Sequence, residues 1–179
     1  MVYCNNLSEK YGLKPVYDFS TFNETLSIKI NQLGGKSVYP NIADFRKTEG
    51  FRLPTEVEWE WFARGGEIAM QDGTFNYAYS GSNNFAEVAW NYGHPGEQTH
   101  DVGTKKSNQL GLYDCSGNVY EWCYDTSGGG YISEKTSYIY DETEGNRRLK
   151  GSPYEISFRY NNKCYESSSN FGFRIVRTI

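Results

Sequence analysis

Residues 55–66, Thr-Glu-Val-Glu-Trp-Glu-Trp-Phe-Ala-Arg-Gly-Gly, constrain the fold more than any other stretch of this chain. Thr55 and Glu58 stand at capping-box spacing, acidic residues fill the first turn, Arg64 lies in the last, and Gly65-Gly66 ends the run. A helix over Thr55–Arg64 is predicted, with Val57, Trp59, Trp61 and Phe62 making a wide apolar face directed into a core. Two further motifs follow in order. In Gly111-Leu-Tyr-Asp-Cys-Ser-Gly-Asn-Val-Tyr-Glu-Trp122, a Ser116-Gly117-Asn118 turn leads into a strand over 119–124 that puts Val119, Glu121 and Cys123 on one face. Gly172-Phe-Arg-Ile-Val176 closes the chain with a final strand.

Glu121 points where its neighbours place the interior, and a buried carboxylate is costly unless it is paired or metal-bound. Asp114 and Glu121 bracket a glycine turn whose carbonyls can bend toward one point, giving the hard oxygen set that calcium prefers. The residues alone equally allow Glu121 to accept hydrogen bonds from backbone or arginine.

With 179 residues, the chain is read as one domain over 1–179. Its 16 Tyr, 10 Phe and 4 Trp predict an interior built from aromatics that keep a polar tip near water. Nineteen Gly and a mean hydropathy of -0.72 indicate a loop-rich chain. A net charge of -4 with no basic run excludes a nucleic-acid surface, and no apolar stretch is long enough for a membrane span. Cys4, Cys115, Cys123 and Cys164 form no C-x-x-C pair and read as buried or half-buried free thiols.

Near the amino terminus, Tyr3, Cys4, Leu7 and Tyr11 repeat at helical spacing and Gly12 follows as a C-cap. Short strands are expected around Lys14–Phe19 and Leu26–Ile30, with a turn at Gly34-Gly35. His94 and His100 are the only histidines, too few for a three-histidine metal centre, and His100-Asp101 adjacency makes no catalytic triad. The glycines at 34–35, 65–66 and 128–130 lack the strand-to-helix context of a phosphate cradle.

In order and wording, the three motifs resemble the formylglycine-generating enzyme family, also called the sulfatase-modifying factor family, from about Cys4 to Val176. The resemblance implies an α+β domain, an elaborated C-type-lectin-like fold, loop-rich with short strands and few helices. It implies calcium held by the side chains of Asp114 and Glu121 and by the main-chain carbonyls of Gly117 and Val119. Family members carry further residues before the first helix, so the chain is expected to be incomplete at its amino terminus; an upstream signal would place it at the cell surface or in the periplasm. The family's oxidases hold copper with a closely spaced cysteine pair soon after a Gly-Gly-Ser segment. The matching segment, Lys150-Gly-Ser-Pro-Tyr-Glu-Ile-Ser-Phe-Arg-Tyr160, has no cysteine, so copper is not expected and no catalytic residue is assigned. A divergent oxidase recruiting Cys164 is the alternative, and a degenerate fragment the third reading.

Between Tyr154 and Phe171 the chain turns rich in Tyr, Asn and Ser, residue types that dominate adaptable recognition surfaces. In the C-type-lectin-like fold this region forms the exposed ligand face, and it is similar to the variable segment of proteins diversified by retroelements. Tyr154, Arg159, Tyr160, Asn161, Asn162 and Tyr165 are the candidate ligand-binding residues, for a protein or glycan partner. An ordinary polar loop would have the same composition.

Overall fold

The computed structural model describes residues 1–19, 29–31, 37–38, 45–91, 98–126, 146–151 and 153–178. The turn at Gly34-Gly35, His94 and the glycines at 128–130 lie outside the described residues, as does most of the strand expected at 26–30. The architecture is α+β, with few helices and short strands. Helix α1 spans Val2–Lys10, and a meander of β1 (Tyr17–Asp18), β2 (Lys29–Asn31) and β3 (Ser37–Val38) follows. A 3-10 turn at Phe45–Lys47 precedes β4 (Phe51–Arg52), after which come α2 (Glu56–Ala63), α3 (Gly66–Asp72) and α4 (Phe85–Val88).

The main sheet combines β5 (Tyr120–Thr126), β6 (Asn146–Lys150), β7 (Tyr160–Lys163) and β8 (Phe171–Phe173) in the order β7-β6-β5-β8. The β5–β8 pairing is parallel and the other two are antiparallel. The last strand, β9 (Val176–Arg177), pairs with β4, so the carboxyl terminus is stitched to the segment that feeds α2.

Side chains alternate across β5, and each face has its own core. Tyr124 joins Cys4, Val16, Tyr17, Phe45 and Leu53 on one side, whereas Cys123 joins Trp59, Ala63, Cys115 and Ile156 on the other. Glu121 shares the second face.

Helix α2 starts as its sequence requires. Thr55 accepts from the Glu58 N–H at 3.2 Å while Glu58 accepts from the Thr55 N–H at 2.9 Å, a complete capping box. Its buried face differs from the expected one: Glu56, Trp59 and Ala63 are inside, whereas Val57 and Trp61 are 37% and 45% exposed. The reason is ionic. Glu56 accepts two bonds from Arg159, at 2.5 and 2.6 Å, and lies 3.9 Å from Arg148 of β6, so the first turn of the helix faces these cations. Gly65 and Gly66 do more than stop the helix; with φ of 88° and 58° they turn the chain directly into α3.

Helix α1 also departs from its apolar pattern. It buries Cys4, Asn5 and Ser8 and leaves Tyr3 and Tyr11 outside. Asn5 exchanges two bonds with the Tyr17 backbone, and Ser8 Oγ accepts from the Phe51 N–H at 2.8 Å. Short polar side chains thus dock the helix onto β1 and β4 by satisfying strand groups that would otherwise be buried without partners.

Candidate functional site

The loop 111–119 reaches its shape through left-handed backbone at four positions, Gly111 among them with φ of 74°. The other three, Asp114, Gly117 and Asn118, have φ of 56°, 75° and 63°. At Gly117 only glycine fits, since a Cβ there would lie 2.2 Å from the Trp90 carbonyl oxygen. Asn118 tolerates its conformation because its side chain is held in a reciprocal pair with the His100 backbone, at 2.9 and 3.1 Å. His100 stacks on Trp90 with 4.0 Å between ring centroids, which closes the loop from outside.

Arg174 ties the two ends of this loop together, donating from Nε to Glu121 Oε2 and from Nη2 to the carbonyl of Tyr113, the residue before Asp114, each at 2.7 Å. Both carboxylates are buried, Asp114 at 8% and Glu121 at 4% exposure. Glu121 Oε2 accepts from Trp59 Nε1 and from Arg174 Nε, each at 2.7 Å. Asp114 Oδ2 accepts from the Gly103 N–H at 2.7 Å, while Asp114 Oδ1 is buried with no hydrogen-bond partner. Burial pushes the Glu121 carboxyl above the usual carboxylate range, with Arg174 and Trp59 opposing that rise and Asp114 adding to it. For Arg174, burial works against the charge, but Glu121, Cys115 and Asp114 together more than offset it and its basicity is raised.

Each carboxylate therefore has one oxygen tied by donors, with Asp114 Oδ1 unpartnered and Glu121 Oε1 in neither of those two bonds. Hydrogen-bonded carboxylates of this kind are what orients metal ligands. The Gly117 carbonyl, already accepting from the Val119 N–H at 2.8 Å, keeps a second lone pair, and the Val119 carbonyl belongs to the same turn. The donor set is all oxygen and suits a hard cation. Among the described residues, no group of three or more His, Cys, Asp and Glu gathers at a single point, so such a cation would depend on main-chain carbonyls.

Two of the residues here were not legible as site residues. Trp59 was read as pure core, yet its indole N–H holds Glu121; Arg174 sits in the closing motif, and only the fold brings it to the loop. No sequence spacing signals either contact, since they span 62 and 53 residues.

The carboxyl-terminal candidates are dispersed. Tyr154 and Tyr165 are 58% and 73% exposed. Tyr160, at 39%, stacks on Tyr120 at 5.0 Å, and Asn161 and Asn162 lie beside it on β7, the edge of the main sheet. Arg159 departs from the expectation that it faces a ligand. Its guanidinium is committed inward to Glu56, so it belongs to the framework.

Among the thiols, Cys4, Cys115 and Cys123 are buried and Cys164 is partly exposed; all four are free. Burial pushes Cys115 up to about 12, and Cys123 well above the ordinary thiol range. Neither is a nucleophile near neutral pH.

The sulfatase-modifying factor enzyme 1-like domain matches residues 1–179, and the chain belongs to that family. The chaperone protein LppX of Paenibacillus barcinonensis is 35% identical over 162 residues, covering 73% of this chain and 55% of that protein. The formylglycine-generating enzyme of Streptomyces coelicolor is 28% identical over 156 residues, covering 73% of this chain and 48% of the enzyme. Among solved structures, Treponema denticola variable protein 1 superimposes with a TM-score of 0.67 at 32% identity, over 97% of this chain and 66% of that one. The chain thus spans about half the length of these two curated relatives. No helix among the described residues is long and apolar enough to cross a membrane.

Proposed function

We propose that this chain is a non-catalytic, calcium-containing binding domain of the sulfatase-modifying factor family that presents its carboxyl-terminal segment to a protein or glycan partner. The observation that carries the non-catalytic part is the placement of the thiols. Cys115 and Cys123 lie in the core around Trp59 with raised pKa, and the segment after Lys150 has no cysteine. Copper-dependent oxidation requires accessible, closely spaced thiolates, and Cys164 alone is a poor substitute. The relative named a chaperone protein supports a binding role; the one named a formylglycine-generating enzyme makes oxidation the competing activity.

Calcium would be held by Asp114, Glu121 and the carbonyls of Gly117 and Val119, where it would supply a fixed positive charge that locks the loop against β5. Tyr154, Tyr160 and Tyr165 offer rigid aromatic area to a partner, and Asn161 and Asn162 offer adaptable donors and acceptors beside them. Incubation with a Cys-x-Pro-x-Arg peptide, copper and reductant tests the catalytic half: no formylglycine forms. Turnover that disappears in Cys164→Ser would restore the oxidase. An alanine scan of 154–165 against protein and glycan panels tests the other half, with the largest losses of binding expected at the tyrosines.

A further inference from the structure

Residues 98–104 are all solvent-exposed, yet they grip the buried loop at Asp114 and at Asn118. The Gly103 N–H donates to Asp114 Oδ2 at 2.7 Å, and the Asn118 side chain forms its reciprocal pair with the His100 backbone, at 2.9 and 3.1 Å. Trp90 fastens the same segment. Its indole stacks on His100 with the ring planes 5° apart, its Nε1 donates to Thr104 Oγ1 at 2.9 Å, and its carbonyl accepts from the Asn118 N–H at 3.0 Å. Just past the segment, Lys105 Nζ lies 3.9 Å from the centroid of the Trp90 ring and donates to the Ala86 carbonyl of α4 at 2.8 Å.

These contacts fall on the cation donors. With Asp114 Oδ2 held by Gly103, the oxygen left to bind is Oδ1, which is buried and has no partner. Asn118 stands between Gly117 and Val119, the two residues whose carbonyls complete the set, and its φ of 63° sets the Gly117 carbonyl against the chain that follows. A contact that orients a ligand from behind raises metal affinity without touching the metal.

We propose that 98–104 is a strap that positions the calcium loop, with Asn118 and His100 as its positioning residues, and that strap closure and calcium binding favour one another. The proposal rests on the calcium reading above. A segment exposed along its length and fastened by hydrogen bonds and a ring stack belongs to the part of a fold that opens locally without global unfolding. Opening removes the donor from Asp114 and the partner from Asn118, so the open form holds the cation more weakly. By linkage, calcium must keep the strap shut by the same factor.

The test begins with calorimetric titration of calcium into the wild type, where a saturable heat is expected, and continues with variants shown by unfolding in EGTA to be folded at the working temperature. Asn118→Gly keeps the left-handed backbone without steric cost and deletes the side-chain pair. Its calcium Kd rises about tenfold, the low end of the loss that follows when a group behind a metal ligand is removed. His100→Ala, which removes the stacked ring, weakens calcium to a similar degree, and His100→Phe, which keeps a ring against Trp90, restores wild-type affinity. Amide exchange followed by NMR reads closure itself: saturating calcium slows exchange at the His100 and Gly103 N–H groups about tenfold in the wild type and by less than about twofold in Asn118→Gly. Unchanged affinity in Asn118→Gly, no recovery in His100→Phe, or exchange indifferent to calcium overturns the strap and leaves the calcium site standing. Absence of any heat in the wild type overturns both.

Discussion

Two buried glutamates, one on the helix of Trp59 and one bonded to its indole, have opposite fates. Glu56 is fully buried and fully compensated: Arg159 gives it two short bonds, Arg148 lies at 3.9 Å, and the charge of Lys150 adds to both. Burial alone would raise its pKa, but these partners pull it below the usual carboxylate range. Glu121 has one arginine, one indole and a neighbouring acid; burial wins, and Asp114 Oδ1 beside it has no partner. Native structures rarely leave buried polar atoms unsatisfied without a reason. The satisfied carboxylate is framework, and the under-satisfied pair is where the proposed calcium would be held.

The sharpest way to break this comparison is Glu56→Gln. It leaves Arg159 and Arg148 facing a neutral group inside the protein, and a loss of about 3–5 kcal/mol is expected in urea unfolding. A loss below about 1 kcal/mol would make Glu56 no more structural than Asp114. Next come the two tryptophans. Trp59→Ala is expected to cost about 3–5 kcal/mol because the residue is fully buried, whereas Trp61→Ala, at 45% exposure, costs about 1 kcal/mol.

That pair shows where the sequence was legible. The capping box of Thr55 and Glu58 is a local device and formed as its spacing dictates. Which tryptophan goes inside was not readable, because the buried face of the helix includes Glu56, whose partner Arg159 is 103 residues away in the chain. The same pair explains why Arg159 read as a ligand contact: inside a tyrosine- and serine-rich segment, nothing local reveals an inward salt bridge. The loop of Asp114 and Glu121 was legible because its glycine turn and strand alternation are local. Its supporting donors, Trp59 and Arg174, come from distant motifs and were not.

Smaller effects sharpen the contrast. In the absence of calcium, Asp114→Asn keeps an acceptor for Gly103 and removes a charge that raises Glu121, so stability should be unchanged or rise by about 1 kcal/mol. Acid titration should reveal the framework carboxylates. Glu56 and Glu58 both have folded-state pKa values below the ordinary 4.5, through Arg159 and Arg52 respectively. Their stabilisation is complete above that value and is lost as pH falls through the lower folded-state values. Glu58→Gln should flatten this dependence below pH 4.5. The smallest changes are expected at Asn161→Ala and Tyr165→Ala, exposed positions whose replacement should alter stability by about 0.5 kcal/mol or less.

The most direct measurement is the thermal midpoint in EGTA and in millimolar calcium for the wild type, Asp114→Ala, Glu121→Ala and the control Glu58→Gln. A ligand held only by the folded state raises the midpoint by mass action. The account predicts a calcium-dependent rise in the wild type and in Glu58→Gln, none in either loop variant, and little response to magnesium, which demands a tighter octahedral shell. No rise in the wild type, or an equal rise in all four proteins, would contradict it.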